Sequence, residues 1–162
     1  MEWQPQDEHQ WLQRLVGEWT SETGTSMQPG EPLIKLSGKE TVRSLGGFWI
    51  LCEAEGEMPG GGTTHSLMTL GYDPVKKKYV GSFVASMMSH LWIYHEGELD
   101  ASGKVLTLSA VGPSFNDDGT SANYHDMIEI QGADQRQLSA EVQSADGKWT
   151  SFMKVTYRRK TS

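Results

Sequence analysis

The sequence predicts an all-β fold: an antiparallel meander of about ten strands closed into a barrel, preceded by one short helix. The chain has a single helical pattern, near the N-terminus, and it runs into Gly17-Glu18-Trp19. Turn residues then recur at short intervals to the C-terminus, and strand-like segments lie between them. These short connections favour antiparallel pairing, because parallel strands need crossovers of roughly a dozen residues or more. Closing the meander into a barrel removes its exposed edges.

The helix is predicted over residues 7–16. Its apolar side chains recur at helical spacing while polar residues take the other face: Trp11, Leu12, Leu15 and Val16. Asp7 is the expected N-cap, and Gly17 is expected to end the helix.

Strand-like segments fill the rest of the chain and are separated by turn signals. They are 17–27, 33–44, 48–57, 64–72, 78–88, 91–99, 104–111, 123–131, 136–144 and 148–159. The last segment alternates most clearly, and one of its faces is predicted to point into the barrel. That face carries Trp149, Ser151, Met153, Val155, Tyr157 and Arg159.

Length and composition predict one domain over residues 1–162. The net charge of −7 comes without a basic stripe, so no nucleic-acid partner is expected. The N-terminus lacks the pattern of an export signal, and no stretch approaches the roughly 18 apolar residues of a membrane span. Cys52 is the only cysteine, which fits a reducing compartment. The expectation is a cytoplasmic protein with no membrane partner.

Three stretches carry a family resemblance over nearly the whole chain. They are His9-Gln10-Trp11-Leu12 through Gly17-Glu18-Trp19, Leu70-Gly71-Tyr72-Asp73 with Lys78-Tyr79-Val80-Gly81, and Leu99-Asp100 through Gly103-Lys104-Val105-Leu106-Thr107-Leu108. Together they make the chain similar to the DUF1579 family of small bacterial proteins. The resemblance implies a lipocalin-like, or calycin-type, barrel, and it implies no established activity.

The resemblance also implies a contact that closes one barrel end. In calycins the tryptophan of the Gly-x-Trp motif lies across that end, and an arginine of the last strand packs on it. In this sequence these residues are Trp19 and, by the alternation of the last strand, Arg159 rather than Arg158. A guanidinium group over an indole ring is a cation–π contact, so the implied role is structural.

The chain is also similar to the haem-binding nitrobindin barrels, which share its size, its strand count and a Gly-x-Trp motif. Those proteins continue with a glycine-rich run after the tryptophan. Here the sequence continues Thr20-Ser21-Glu22-Thr23-Gly24-Thr25. This difference argues against haem, and the sequence assigns no cofactor.

A cavity inside the barrel is the predicted site. One face of the segment 78–88 mixes small and large side chains, as a barrel interior that leaves room would. Methionines among the candidates can shape an adaptable apolar pocket. The candidate lining residues are Phe83, Met87, Trp92, His125, Met127 and Met153.

Of the five histidines, His125 is the strongest candidate for a role in the cavity. No pair of histidines has a recognised metal-ligand spacing, so no metal site is predicted. His125 shares a strand face with Asn123, Met127 and Glu129, whereas Tyr124, Ile128 and Ile130 occupy the other face. If the second face is the packed one, His125 is solvated; if it is the outer wall, His125 lines the cavity.

Three functional hypotheses remain open at this point. The first is a non-enzymatic module that binds a small apolar or amphipathic ligand, favoured because hydrolase, nucleotide-binding and zinc-protease motifs are missing. The second is a small enzyme, an isomerase or hydrolase, that uses a buried histidine or carboxylate in the same cavity. The third is a barrel filled by its own side chains that acts through self-association, for example as a homodimer.

Overall fold

The computed structural model describes residues 3–26 and 29–160, and they form a closed antiparallel barrel with one short helix. The helix α1 spans Asp7–Gln13. The strands are β1 (Gly17–Thr25), β2 (Ile34–Leu45), β3 (Trp49–Glu57), β4 (Thr63–Asp73), β5 (Lys78–Ala85), β6 (Trp92–Leu99), β7 (Val105–Pro113), β8 (Ser121–Ile130), β9 (Gln135–Gln143) and β10 (Trp149–Arg159). Consecutive strands pair with each other, and β1 closes the barrel on β10. The predicted fold class is confirmed.

The helix differs from its prediction at both ends. Its N-cap is Gln6, not Asp7, and the Gln6 amide donates a hydrogen bond to His9 Nδ1 at 2.9 Å. The helix ends at Gln13 because each of the next three amides bonds to a carbonyl three residues back, which tightens the turn. Gly17, with a φ of 141°, begins β1 instead of ending the helix. Within the described ranges, no helix has the length and apolar character needed to cross a membrane.

Strand β10 contains a bulge that reverses its side-chain alternation. Ser151 lies opposite Glu141, but Met153 lies opposite Ala140, so one residue between them has no partner across the ladder. Because of this inserted residue, side chains an even number of positions apart lie on opposite faces when one is before the bulge and the other after it. Met153 therefore faces the interior as predicted, whereas the prediction that Trp149 and Ser151 share this inward face is wrong.

The barrel end next to α1 is closed and filled with side chains. The indole of Trp11 donates to the carbonyl of Gly103 at 2.7 Å, and the hydroxyl of Tyr79 donates to the carbonyl of Glu8 at 3.2 Å. These bonds hold α1 across the opening. Burying one large apolar side chain contributes about 1.5 to 3 kcal/mol. The side chains exposed by 2% or less in this region include Leu12, Leu15, Trp19, Leu70, Tyr79, Leu106 and Leu108.

Arg159 lies on Trp19 at this closed end, in the arrangement that the family resemblance implies. Its Cζ atom is 4.2 Å from the centroid of the tryptophan ring. The guanidinium group also donates to the carbonyl of Val16 at 2.7 Å and to the carbonyl of Arg14 at 3.2 Å. One side chain thus links the last strand, the first strand and the turn after α1.

Arg159→Ala is expected to lower the free energy of unfolding by about 1 to 2 kcal/mol, because ring stacking and packing are lost together. Arg158→Ala is the matched control: this neighbour is exposed and donates to Gln135 Oε1 at 3.0 Å. Arg158→Ala is expected to lower the free energy of unfolding by less than about 0.5 kcal/mol. Urea denaturation of both variants measures the difference, and equal losses would contradict the closure role of Arg159.

Candidate functional site

The half of the barrel away from α1 contains a cavity of about 350 Å³. This volume lies within the range of about 300 to 1,000 Å³ that is typical of small-molecule sites. The cavity extends to the barrel end opposite the helix, where Met58, Pro59 and Met87 line it. The molecule is therefore filled at one end and hollow at the other.

The lining of the cavity is chemically divided. Ser and Thr side chains come from β1, β2, β4 and the segment after β1: Ser21, Thr23, Thr25, Ser26, Ser37, Thr64 and Ser66. Apolar side chains line both sides: Leu36, Cys52 and Met68 come from β2 to β4, and Phe83, Ile128, Leu138, Met153 and Val155 come from β5 and from β8 to β10. The Ser and Thr hydroxyl groups thus line one side of a largely apolar cavity, which matches an amphipathic molecule.

A buried ion pair lines the inner end of the cavity, next to the filled half of the barrel. Arg136 Nη2 donates to Glu40 Oε1, and the two side chains are only 5% and 9% exposed. The Cζ atom of Arg136 lies 3.8 Å from the ring centroid of Tyr157 and 4.6 Å from that of Trp19. The guanidinium group is thus held by one carboxylate and two aromatic rings. Its Nε atom is buried and has no hydrogen-bond partner.

Burial keeps two neighbours of the ion pair uncharged. Burial raises the pKa of Cys52, the Glu40 carboxylate raises it further, and the Arg136 guanidinium opposes this to a smaller extent. Burial also raises the pKa of Tyr157, again with Glu40 outweighing Arg136. Both groups are therefore neutral near pH 7, and Cys52 is not a thiolate nucleophile.

A second interior polar contact joins Tyr94 and Asp126. The Tyr94 hydroxyl donates to Asp126 Oδ2. Burial raises the pKa of the Asp126 carboxyl to about 6, while the hydrogen bond from Tyr94 and the charge of His125 act in the opposite direction. Asp126 is not among the residues that line the cavity.

Three of the six predicted site residues come together in the cavity: Phe83, Met87 and Met153. Trp92 lies opposite Phe83 in the ladder between β5 and β6. It packs instead against Tyr124, with ring centroids 4.9 Å apart, and is not part of the cavity lining. The expected location of Trp92 is corrected accordingly.

His125 and Met127 lie on the outer wall of the barrel, so their expected location is also corrected. The ring of His125 stacks on Trp149 at 3.8 Å, and its Nδ1 atom donates to Glu141 Oε1 at 2.9 Å. The physical reason is that the other face of β8 packs against the barrel interior. The alternative in which His125 is outside the cavity is therefore the correct one. That inward face carries Tyr124, Ile128 and Ile130.

None of the five histidines lines the cavity. The cavity therefore offers no imidazole to a haem iron, and its residues do not fit a histidine-ligated haem. In the part of the chain that the structure describes, no three His, Cys, Asp or Glu side chains are grouped closely enough to hold a metal ion.

The family model described as "Protein of unknown function (DUF1579)" matches residues 4–159. The chain belongs to the DUF1579 family. No curated protein sequence matches it.

Solved structures show how widely this DUF1579 fold is shared. The chain is similar to the S-type phycobiliprotein lyase CPES from Guillardia theta, with a TM-score of 0.64, 15% identity, and 98% of this chain and 99% of that chain covered. It is similar to Rv2717c from M. tuberculosis, with a TM-score of 0.63, 11% identity, and coverage of 98% and 100%. For EF1p2_mFAP2b bound to DFHBI the values are 0.50, 11%, 95% and 100%. At these identities the similarity shows a common fold.

Glu40 and Arg136 are among the cavity residues of this DUF1579 barrel that the sequence did not identify. A signal was present in the alternation of their strands. Glu40 shares a parity with Val42, and Arg136 shares one with Leu138 and Ala140. A charged residue on an apolar parity is a candidate for a buried ion pair, because such residues are almost never buried without a partner.

Proposed function

We propose that this protein binds a small amphipathic molecule in the cavity of its barrel. The observation that carries the proposal is the cavity of about 350 Å³, whose largely apolar lining carries Ser and Thr hydroxyl groups on one side only. Apolar ligand surface that enters a preformed cleft is removed from water, which favours binding. The hydroxyl groups then offer hydrogen bonds to the polar part of the ligand.

The division of the barrel into a filled and a hollow half supports a binding role. Side chains exposed by 2% or less, such as Trp19 and Leu106, fill the closed end and hold the wall in shape. A rigid wall lowers the entropic cost of binding, because the site does not have to become ordered around its ligand. Barrels of similar fold include a phycobiliprotein lyase and a protein bound to DFHBI, so the architecture is compatible with small-molecule sites.

The alternative of a small enzyme has less support in the geometry. It requires a buried histidine or carboxylate in the cavity, and no histidine lies there. Glu40 does line the cavity, but its charge is compensated by Arg136. The Oε1 atom of Glu40 already accepts a hydrogen bond from Arg136 Nη2, so this oxygen is not free to act on a ligand.

Titration with Prodan, a neutral dye whose emission depends on its environment, tests the proposal. We expect saturable binding of about one dye per chain to the wild-type protein. Phe83→Asp is expected to abolish this binding, because it places a charge in the apolar wall of the cavity. Fluorescence gives the affinity and stoichiometry, and circular dichroism verifies that the barrel is folded.

Val84→Asp is the matched control for Phe83→Asp, since Val84 is the next residue on β5 and is 43% exposed. It is expected to bind Prodan as the wild type does. His125→Ala should also leave dye binding unchanged, because His125 lies on the outer wall. A folded wild-type protein that shows no saturable dye binding would overturn the proposed function.

A further inference from the structure

We infer that the cavity selects rigid, largely apolar molecules that carry two or more hydroxyl groups along one edge, such as polyhydroxylated ring compounds, over molecules with a single polar end. The inference rests on the proposed function, because it specifies the chemistry of the ligand for the same cavity. It is carried by three cavity-lining residues of β1, Ser21, Thr23 and Thr25. We call their side-chain hydroxyl groups the hydroxyl column.

The hydroxyl column faces the interior of the barrel. Its residues share the parity of Trp19, which is 2% exposed, whereas Thr20 and Glu22 on the other parity are exposed. In the ladder between β1 and β10, Thr23 lies opposite Val155, a cavity-lining residue that is 5% exposed. Residues directly opposite each other in an antiparallel pair point to the same face. The three hydroxyl groups therefore follow one wall of the cavity along its length.

The hydroxyl column is both unpaired and accessible. Within residues 3–26 and 29–160, none of its three hydroxyl groups makes a hydrogen bond to another protein group. Their oxygen atoms are not sealed off: in the same part of the chain, the side-chain atoms that are unpaired and closed to solvent are Gln13 Nε2 and Arg136 Nε. Each hydroxyl group can donate one hydrogen bond and accept others. A polar ligand group in the cavity can therefore reach the column.

The strand fixes the spacing of the hydroxyl column. Strand β1 is paired with β2 and with β10 along the whole column. Two residues of an antiparallel strand advance about 7 Å, so successive members of the column are separated by this distance. A ligand contacts two members at once only if its own oxygen atoms have a similar separation and lie on one edge. A rigid molecule meets this condition without the entropic cost that a flexible chain has to overcome.

Two isomers of equal size test the inference. In 2,7-dihydroxynaphthalene both hydroxyl groups lie on one long edge at a separation similar to that of the column, and in 2,6-dihydroxynaphthalene they lie on opposite edges. Each competes with Prodan on the wild-type protein at pH 7, where phenols are uncharged. Charge therefore does not distinguish the isomers, although four charged residues line the cavity: Glu40, Glu55, Glu57 and Arg136. The 2,7-isomer is expected to bind roughly three- to tenfold more tightly, which corresponds to one additional hydrogen bond.

Thr23→Val removes the middle hydroxyl group and keeps the shape of the side chain. The hydroxyl groups of Ser21 and Thr25 that remain are about 14 Å apart, too far for one naphthalenediol to contact both. This variant is expected to bind Prodan and to bind the two isomers with affinities within roughly twofold of each other. Thr20→Val is the matched control, since Thr20 is exposed on the outer face of the same strand, and it should keep the wild-type preference.

The outcomes separate the inference from the proposed function. If the wild-type protein binds Prodan but binds the two isomers equally, or binds neither, the inference is overturned while the proposed function stands. A preference for the 2,7-isomer that persists in Thr23→Val would contradict the role of the hydroxyl column. If Prodan itself does not bind, the proposed function fails and the inference fails with it.

Discussion

Replacing Arg136 with methionine is expected to lower the free energy of unfolding by about 3 to 5 kcal/mol, the range for breaking a buried ion pair by removing one partner. The remaining Glu40 carboxylate would be 9% exposed in the wild-type packing and would have lost its guanidinium partner. It must then be buried as an unpaired charge or become protonated, and either change disfavours the folded state. Urea denaturation at pH 7 measures the loss, with the slope of the transition as a test of two-state behaviour.

Two further proteins separate the loss of the pair from the loss of side-chain packing. Glu40→Leu combined with Arg136→Met removes both charges and is expected to recover most of the stability, since apolar replacements of buried pairs are often neutral or stabilising. Arg43→Met breaks an exposed pair, in which Nη2 lies 3.2 Å from Glu53 Oε1, and should cost less than about 1 kcal/mol. A double variant as unstable as Arg136→Met would show that packing, not charge, accounts for the effect.

The sequence was sufficient to predict the architecture because the signals for it are local. Turn residues separate the strands, and short connections permit only antiparallel neighbours. The position of Arg159 on Trp19 follows from register: the two residues are opposite each other in the ladder between β1 and β10. Phe83 and Met87 could be assigned to the cavity because one parity of the segment 78–88 mixes large and small side chains.

The inward face of two strands could not be determined from the sequence. On β8 both faces carry residues that could line a cavity. Whether His125 or Tyr124 points inward therefore depends on which face the rest of the barrel covers. On β10 a single inserted residue between Ser151 and Met153 moves Trp149 to the outer wall. No glycine or proline marks this bulge, so alternation alone misplaces every residue before it.

Whether the barrel is hollow depends on side-chain volumes summed around the whole wall. At the open end, β2 and β3 contribute Gly38, Ala54 and Gly56 to the cavity lining. At the closed end, Trp19 and Leu106 occupy the same interior space. These residues are far apart in the chain and come to one level only through the register of the strands. Glu40 and Arg136 likewise meet across 96 residues of sequence.

The Asp126 carboxyl is expected to make the protein less stable as the pH rises from about 4 to about 7. Its pKa in the folded protein is raised to about 6 from an ordinary value of 3.8. The folded state therefore binds the proton more tightly than the unfolded state does. The stabilisation is fully present below about pH 4 and is lost as the pH passes through 6. A shift of about two units corresponds to roughly 3 kcal/mol over this interval.

Asp126→Asn isolates this contribution, because asparagine resembles the neutral acid and can still accept the hydrogen bond from Tyr94. Relative to the wild type, the variant is expected to gain roughly 3 kcal/mol in free energy of unfolding between pH 4 and pH 7. Urea denaturation at several pH values gives this difference curve. Asp118→Asn is the control of opposite sign: hydrogen bonds from Thr120 lower the pKa of this exposed carboxyl, so its variant should lose relative stability above pH 4. A flat curve for Asp126→Asn would show that the carboxyl is ionised at equal cost in both states, and that burial at this point of β8 does not suppress its charge.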